Sequence, residues 1–253
     1  MARVATSCEA GNRLDPRSGR RYALGRESRQ EHRDGGAVRA GTPENLAREA
    51  GWWLGRKRVD FSGVLRQWYD RARVSEAQTA AIRWLAARPD GPVRILVISE
   101  EWSSDCRRDV PMLARLAEAG GLDLRIFPRD GQKFSQSPTS DPAESPNADV
   151  VNELLNEKDG RTFQSVPAAA FLTKDFAALY RYFEFPAIYH KMRLAEAMQV
   201  AKPGENREQA WDRFIRDWGA LQESPFFPMW ASAAVDEMLS ALHERMVVGP
   251  GPA

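Results

Sequence analysis

Two short apolar runs, VRILVI at 93–98 and LDLRIF at 122–127, stand on either side of a helical stretch at 104–119. Each is short and rich in β-branched or aliphatic side chains, which marks a buried strand. The stretch between them ends at Gly120-Gly121, where glycine accepts the left-handed turn that closes a helix. A strand, a helix and a strand with joints this short make a βαβ unit, hence a parallel pair with a right-handed crossover. The chain is therefore of the α/β class.

What flanks the unit is helical on both sides. Leu46, Ala50 and Trp53, then Phe61, Val64, Leu65 and Trp68, recur at the spacing of amphipathic helices. SEAQ at 75–78 reads as a capping box, with Ser75 capping and Gln78 reaching back, ahead of a helix carrying Ile82 and Leu85. Pro89, Asp90, Gly91 and Pro92 stop it. After the second strand, residues 131–147 are rich in Ser, Pro and Asp, and a loop of this length is expected to be functional or mobile. A short helix is expected at 148–156. SVPAAAFL and FAALYRYFEF follow as two strands, antiparallel because only Thr173-Lys174-Asp175 joins them. Three helical stripes complete the chain: Ile188, Met192, Ala195 and Met198; Trp211, Phe214, Ile215 and Trp218; Val235, Met238, Leu239 and Leu242. Packing into a core is the expected role of all three.

Residues 1–40 hold nine arginines and five acids with almost no large apolar side chains, so they cannot offset their chain entropy by burial. The expected organisation is a disordered tail (1–42), a helical extension (43–90), an α/β domain (91–200), C-terminal helices (201–247) and a short tail (248–253). A formal net charge of +1 gives no bulk drive toward nucleic acid or an anionic membrane. No apolar run reaches membrane-spanning length and no signal peptide is evident, so the cytoplasm is the expected location. Two cysteines, Cys8 and Cys106, make neither a disulfide framework nor a zinc cluster. His32, His190 and His243 are scattered singly, and no metal is expected.

Chemistry concentrates where the first strand meets its helix, in SEEWSSDCRRDVP at 99–111. Ser103 is placed to cap that helix, its hydroxyl accepting the backbone N–H of Cys106. Cys106 falls in the first turn, where free N–H groups and the helix dipole favour a thiolate. Arg107 and Arg108 would add to that effect and Asp105 would oppose it. A lowered pKa is expected wherever solvent reaches the sulfur. If solvent does not, Cys106 is a small buried apolar residue.

These residues resemble the active site of the thioredoxin superfamily. The family carries W-C-x-x-C at this junction with a proline five residues beyond the second cysteine; here Trp102, Ser103, Cys106 and Pro111 hold those places. Val166-Pro167 resembles the family's cis-proline, and the resemblance makes Trp102, Val166 and Pro167 the substrate-contacting residues. It implies a central mixed sheet flanked by helices over roughly 91–200, with N- and C-terminal helical extensions. The same segment is similar to a bacterial thioredoxin-like group, many of whose members have W-C-x-D-C. Two positions depart from the family: Ser103 replaces the attacking cysteine, and Val97 the buried acid six positions before it.

Thiol–disulfide exchange needs a thiolate and, in a dithiol site, a second thiol to expel the product; Ser103 supplies neither. The resemblance leaves Cys106 as a one-cysteine centre with Ser103 beside it, exchanging with protein thiols or disulfides or with glutathione as co-substrate. Peroxidase-like activity is the weaker form, since the arginine and P-x-x-x-T pattern of peroxiredoxins is missing. Glutathione transferases echo Val166-Pro167 and Glu184, but their helices do not precede the sheet. The competing class is a non-catalytic interaction module of the same fold.

Overall fold

The computed structural model describes residues 61–131 and 137–249. The expected N-terminal tail, the helical stripe of Leu46, Ala50 and Trp53, and all of the expected C-terminal tail but 248 and 249 lie outside these residues; the last helix runs through Val248. In chain order the elements are α1 (Ser62–Arg71), α2 (Glu76–Ala86), β1 (Arg94–Ser99), α3 (Ser104–Gly120), β2 (Asp123–Pro128) and α4 (Ala148–Glu153). Then come β3 (Asn156–Lys158), β4 (Arg161–Phe163), β5 (Ala168–Leu172), β6 (Ala178–Phe183), α5 (Lys191–Gln199), α6 (Arg207–Gln222) and α7 (Phe226–Val248).

The main sheet runs β2-β1-β5-β6. β1 pairs parallel with β2 and antiparallel with β5, and β5 pairs antiparallel with β6. This is the mixed sheet flanked by helices that the sequence led us to expect. β1 sits in its interior, so Ile95, Leu96, Val97 and Ile98 are all buried, which is why that run does not alternate. Helix α3 returns the chain from β1 to β2 and closes at Gly121, whose φ of 68° suits glycine. Leu122 N–H then bonds back to the Ala117 carbonyl at 2.8 Å.

The flanking helices cover α3: α1, α2 and α7 all pack against it, and α7 also packs on β6. α2 starts with the expected capping box, Ser75 and Gln78 exchanging bonds, and Gln78 also donates to Asp236 of α7 at 2.8 Å. Trp68 of α1 meets Phe227 of α7 with ring centroids 4.8 Å apart. One hydrophobic core thus runs from Phe61 through β1 and β5 to Leu242.

Three expectations need correction. The helix expected at 148–156 stops at Glu153, and a small hairpin, β3–β4, follows, turning through Asp159-Gly160 with φ of 53° and 70°. The described part of the loop, 137–147, is pinned rather than loose. Ser140 and Asn152 exchange two hydrogen bonds, Gln164 donates to the carbonyls of Ser137 and Thr139, and Asn147 donates to that of Pro128. The stripe on α5 is not core. α5 buries none of its residues fully, and Ile188 and Met192 are each 57% exposed. Leu194 packs partly against the core, and polar contacts add to it: Arg213 of α6 donates to the carbonyls of Met198 and Val200, at 2.8 and 2.7 Å.

No helix among the described residues is long and apolar enough to cross a membrane.

Candidate functional site

The strand-to-helix junction brings the expected residues together. Ser103 has extended backbone angles (φ −75°, ψ 125°), and its Oγ accepts the Cys106 N–H at 3.4 Å as an N-cap. The same hydroxyl donates to the Val166 carbonyl, also at 3.4 Å. The Val166–Pro167 peptide bond is cis and lies at the entrance to β5, across from the start of α3. Trp102, Ser103, Cys106, Val166 and Pro167 therefore form one cluster, and every one of them is buried.

Cys106 is 0% exposed. Its Sγ accepts the Glu100 backbone N–H at 3.4 Å. Burial pushes the thiol up to about 12, more than Ser99, Glu100 and Ser103 recover by hydrogen bonding, and the Asp105 charge adds to the rise. Solvent does not reach the sulfur, so the condition for a lowered pKa is not met and Cys106 takes the other expected form, a small buried residue. The cost of a charge in a dry interior exceeds what the neighbouring hydrogen bonds return.

Nor do the two arginines serve the sulfur. Arg107 donates to the carbonyls of Glu101 and Trp102 and, at 2.9 Å, to Gln222 Oε1, with its guanidinium 4.9 Å from the Phe61 ring centroid. Arg108 grips Asp109 with two bonds of 2.7 Å and reaches Asp105 at 2.8 Å. Tyr182 OH donates to Asp109 at 2.7 Å, and Lys191 pairs with Asp105. Burial works against the charges of Arg108 and Lys191, but their acids outweigh it: Asp109 and Asp105 raise the first, and Asp105 and Glu184 raise the second. Both stay cationic. Arg108 further donates to the Glu184 carbonyl at 3.0 Å, which ties α3 to the end of β6.

A second buried network stands on the other side of Trp102. The indole N–H donates to Asp130 Oδ2 at 3.2 Å, Arg129 grips the same carboxylate with two bonds, and Glu100 Oε1 accepts the Asp130 N–H at 2.8 Å. Arg129 also reaches the Gln164 carbonyl at 2.9 Å. Sequence reading did not identify either network. A signal was present: four of the five residues 105–109 are charged, so no helix orientation could keep all of them in water. Among the described residues no group of three or more His, Cys, Asp or Glu is placed to hold a metal ion.

A sequence model of a family described as Thioredoxin matches residues 60–200, more than half of the chain. Among solved structures, the chain is similar to a protein of unknown function from Pseudomonas aeruginosa, at 16% identity and a TM-score of 0.40, covering 77% of this chain and 90% of that one. It is similar to the same degree, 16% and 0.40, to an HIV epitope scaffold, covering 76% and 89%. No curated protein matches it significantly.

Proposed function

The chain belongs to the thioredoxin family, and from that premise we propose that it is a non-catalytic interaction module of that fold, with a degenerate S-x-x-C site that has become a packing element. The carrying observation is the state of Cys106, which is fully covered, accepts an N–H from Glu100 and has a thiol pKa of about 12. A thiolate is the nucleophile in exchange chemistry, and at neutral pH such a group is a thiolate only about once in 10⁵. Ser103 has its hydroxyl committed to the helix cap and to the Val166 carbonyl. Among the described residues no histidine hydrogen-bonds to it as a base. Burial of Trp102, Val166 and Pro167 weighs against an open substrate cleft, and burial of the sulfur against glutathione or protein thiols as partners. Cys106 as a free thiol suits the reducing cytoplasm, where we place the protein.

The test is alkylation of Cys106 in a Cys8→Ser background, with iodoacetamide at neutral pH. The module reading expects labelling only once the protein is unfolded. Stoichiometric labelling of the folded protein within minutes would restore Cys106 as a one-cysteine redox centre.

A further inference from the structure

Helix α5 is tied down at its two ends and little in between. Just before it the chain is fixed at Tyr189, which is buried and stacks on Trp230 with ring centroids 3.8 Å apart. At the first residue of α5, Lys191 pairs with Asp105 in the first turn of α3. At the far end, Arg213 of α6 holds the carbonyls of Met198 and Val200. Among the described residues these are the hydrogen bonds that join α5 to the rest of the protein. Between them Leu194 packs partly against the core, and a gap of about 190 Å³ stands beside it against Trp230. His190 precedes the helix without a side-chain cap. Residues 200–204 follow it, all exposed, with Gly204 at a φ of 88° that suits glycine.

Each tether ends on a group that has a second partner. When Lys191 leaves Asp105, Arg108 still holds that carboxylate at 2.8 Å. When the two carbonyls leave Arg213, Glu205 still grips its guanidinium at 2.8 and 3.0 Å. Breaking a buried pair is costly chiefly because it strands a bare charge, and here neither release does so. Lys191 itself is 22% exposed along its side chain, so its ammonium passes readily into water. A nine-residue helix held in this way has two arrangements available, tied and untied, with short flexible joints on either side.

We propose that α5 is a strap, closed on the start of α3 by Lys191 and held at its far end by Arg213. It opens as one unit about His190 and the 200–204 loop while the sheet and the other helices stay folded. Opening uncovers the Asp105 oxygen that Lys191 holds, one residue before Cys106, and widens the gap beside Trp230. The strap gives a movable edge to an S-x-x-C region whose own residues are buried. It stands on its tethers alone, so it holds or fails independently of whether Cys106 reacts.

The experiment is residue-resolved hydrogen exchange of the full chain at neutral pH, without urea and in low urea. Amides of 194–199 are expected to exchange at least about 100-fold faster than those of β1 and β5, at rates that low urea leaves unchanged, because a local opening exposes little surface. Lys191→Met is expected to speed all of 194–199 by about tenfold, with β1 and β5 unchanged, whereas Lys191→Arg keeps the latch and stays close to wild type. Circular dichroism checks that each variant keeps its helices, and the urea series decides alone if Lys191→Met does not fold. Exchange of 194–199 with the rate and urea dependence of β1 and β5 overturns the proposal, since α5 would then open only with the whole protein. Acceleration by Lys191→Met confined to 194 and 195 also overturns it, since the helix would then fray from one end rather than open as a strap.

Discussion

Ser103 Oγ accepts the backbone N–H of Cys106 and donates to the Val166 carbonyl, so one hydroxyl joins the start of α3 to the strand that opens with Pro167. A thiol at 103 would fill the same place with weaker hydrogen bonding. Ser103→Cys recreates C-x-x-C, and oxidation is expected to close a 103–106 disulfide, seen as a loss of two hydrogens by mass. Insulin reduction should nevertheless stay at the wild-type level, because the residues around the bond are buried and Val97 replaces the acid. Robust turnover by this variant would mean that the site opens in solution.

Alkaline pH should unfold the protein through its protonated buried groups. Burial raises Cys106 and Tyr180 to about 12 and lifts Tyr182 and Tyr189 further. A group whose folded pKa exceeds its unfolded one stabilises fully below the unfolded value and loses that contribution as pH climbs toward the folded value. The window therefore opens near pH 9 and extends to about 12, and Cys106 alone removes about 1.4 kcal/mol per pH unit across it. Unfolding free energies from urea titrations between pH 9 and 11 should fall steeply with pH, and Cys106→Ala should flatten that slope by about 1.4 kcal/mol per pH unit.

The guanidinium of Arg108 balances two acids in a dry interior. Arg108→Met should cost about 3–5 kcal/mol by leaving Asp109 unpaired. Tyr182→Phe removes only a hydrogen bond to that carboxylate and should cost about 1.5–3 kcal/mol. Chemical denaturation orders the two, and a smaller loss for Arg108→Met than for Tyr182→Phe would contradict the network's geometry.

Arg213 fixes the carbonyl end of α5 and pairs with Glu205 at 2.8 Å. Arg213→Ala should release α5 while leaving the sheet intact, because α5 fully buries none of its side chains. Hydrogen exchange should accelerate over 191–200 and remain unchanged in β1 and β5.

How much of this was readable follows from the range over which each signal acts. The strands β1, β2, β5 and β6, the capping box at Ser75 and the Ser103 cap are decided within a few residues, and each is where the sequence placed it. The Asp159-Gly160 hairpin was equally local, but the helical pattern ahead of it was extended too far. α5 was misjudged for a different reason. Periodicity identifies an apolar face without saying whether anything lies opposite, and Arg213 and Lys191 hold that helix by polar contacts that add to the partial packing of Leu194. The Cys106 environment was beyond local reading altogether. Its pKa depends on burial, and the cover over the first turn of α3 includes Phe61 and Gln222, far away in sequence.

The bond from Arg107 to Gln222 spans 115 positions of sequence. It connects the first turn of α3 to the last residue of α6, and the Phe61 ring lies against the same guanidinium from the other end of the described chain. Excising the α/β segment at its sequence borders would thus strip a buried cation of both its covers, and the excised piece would expose charge where a free-standing domain needs a sealed interior. The flanking helices behave as walls of the same building, and proteolysis or truncation within them should be felt as loss of the whole cooperative unit.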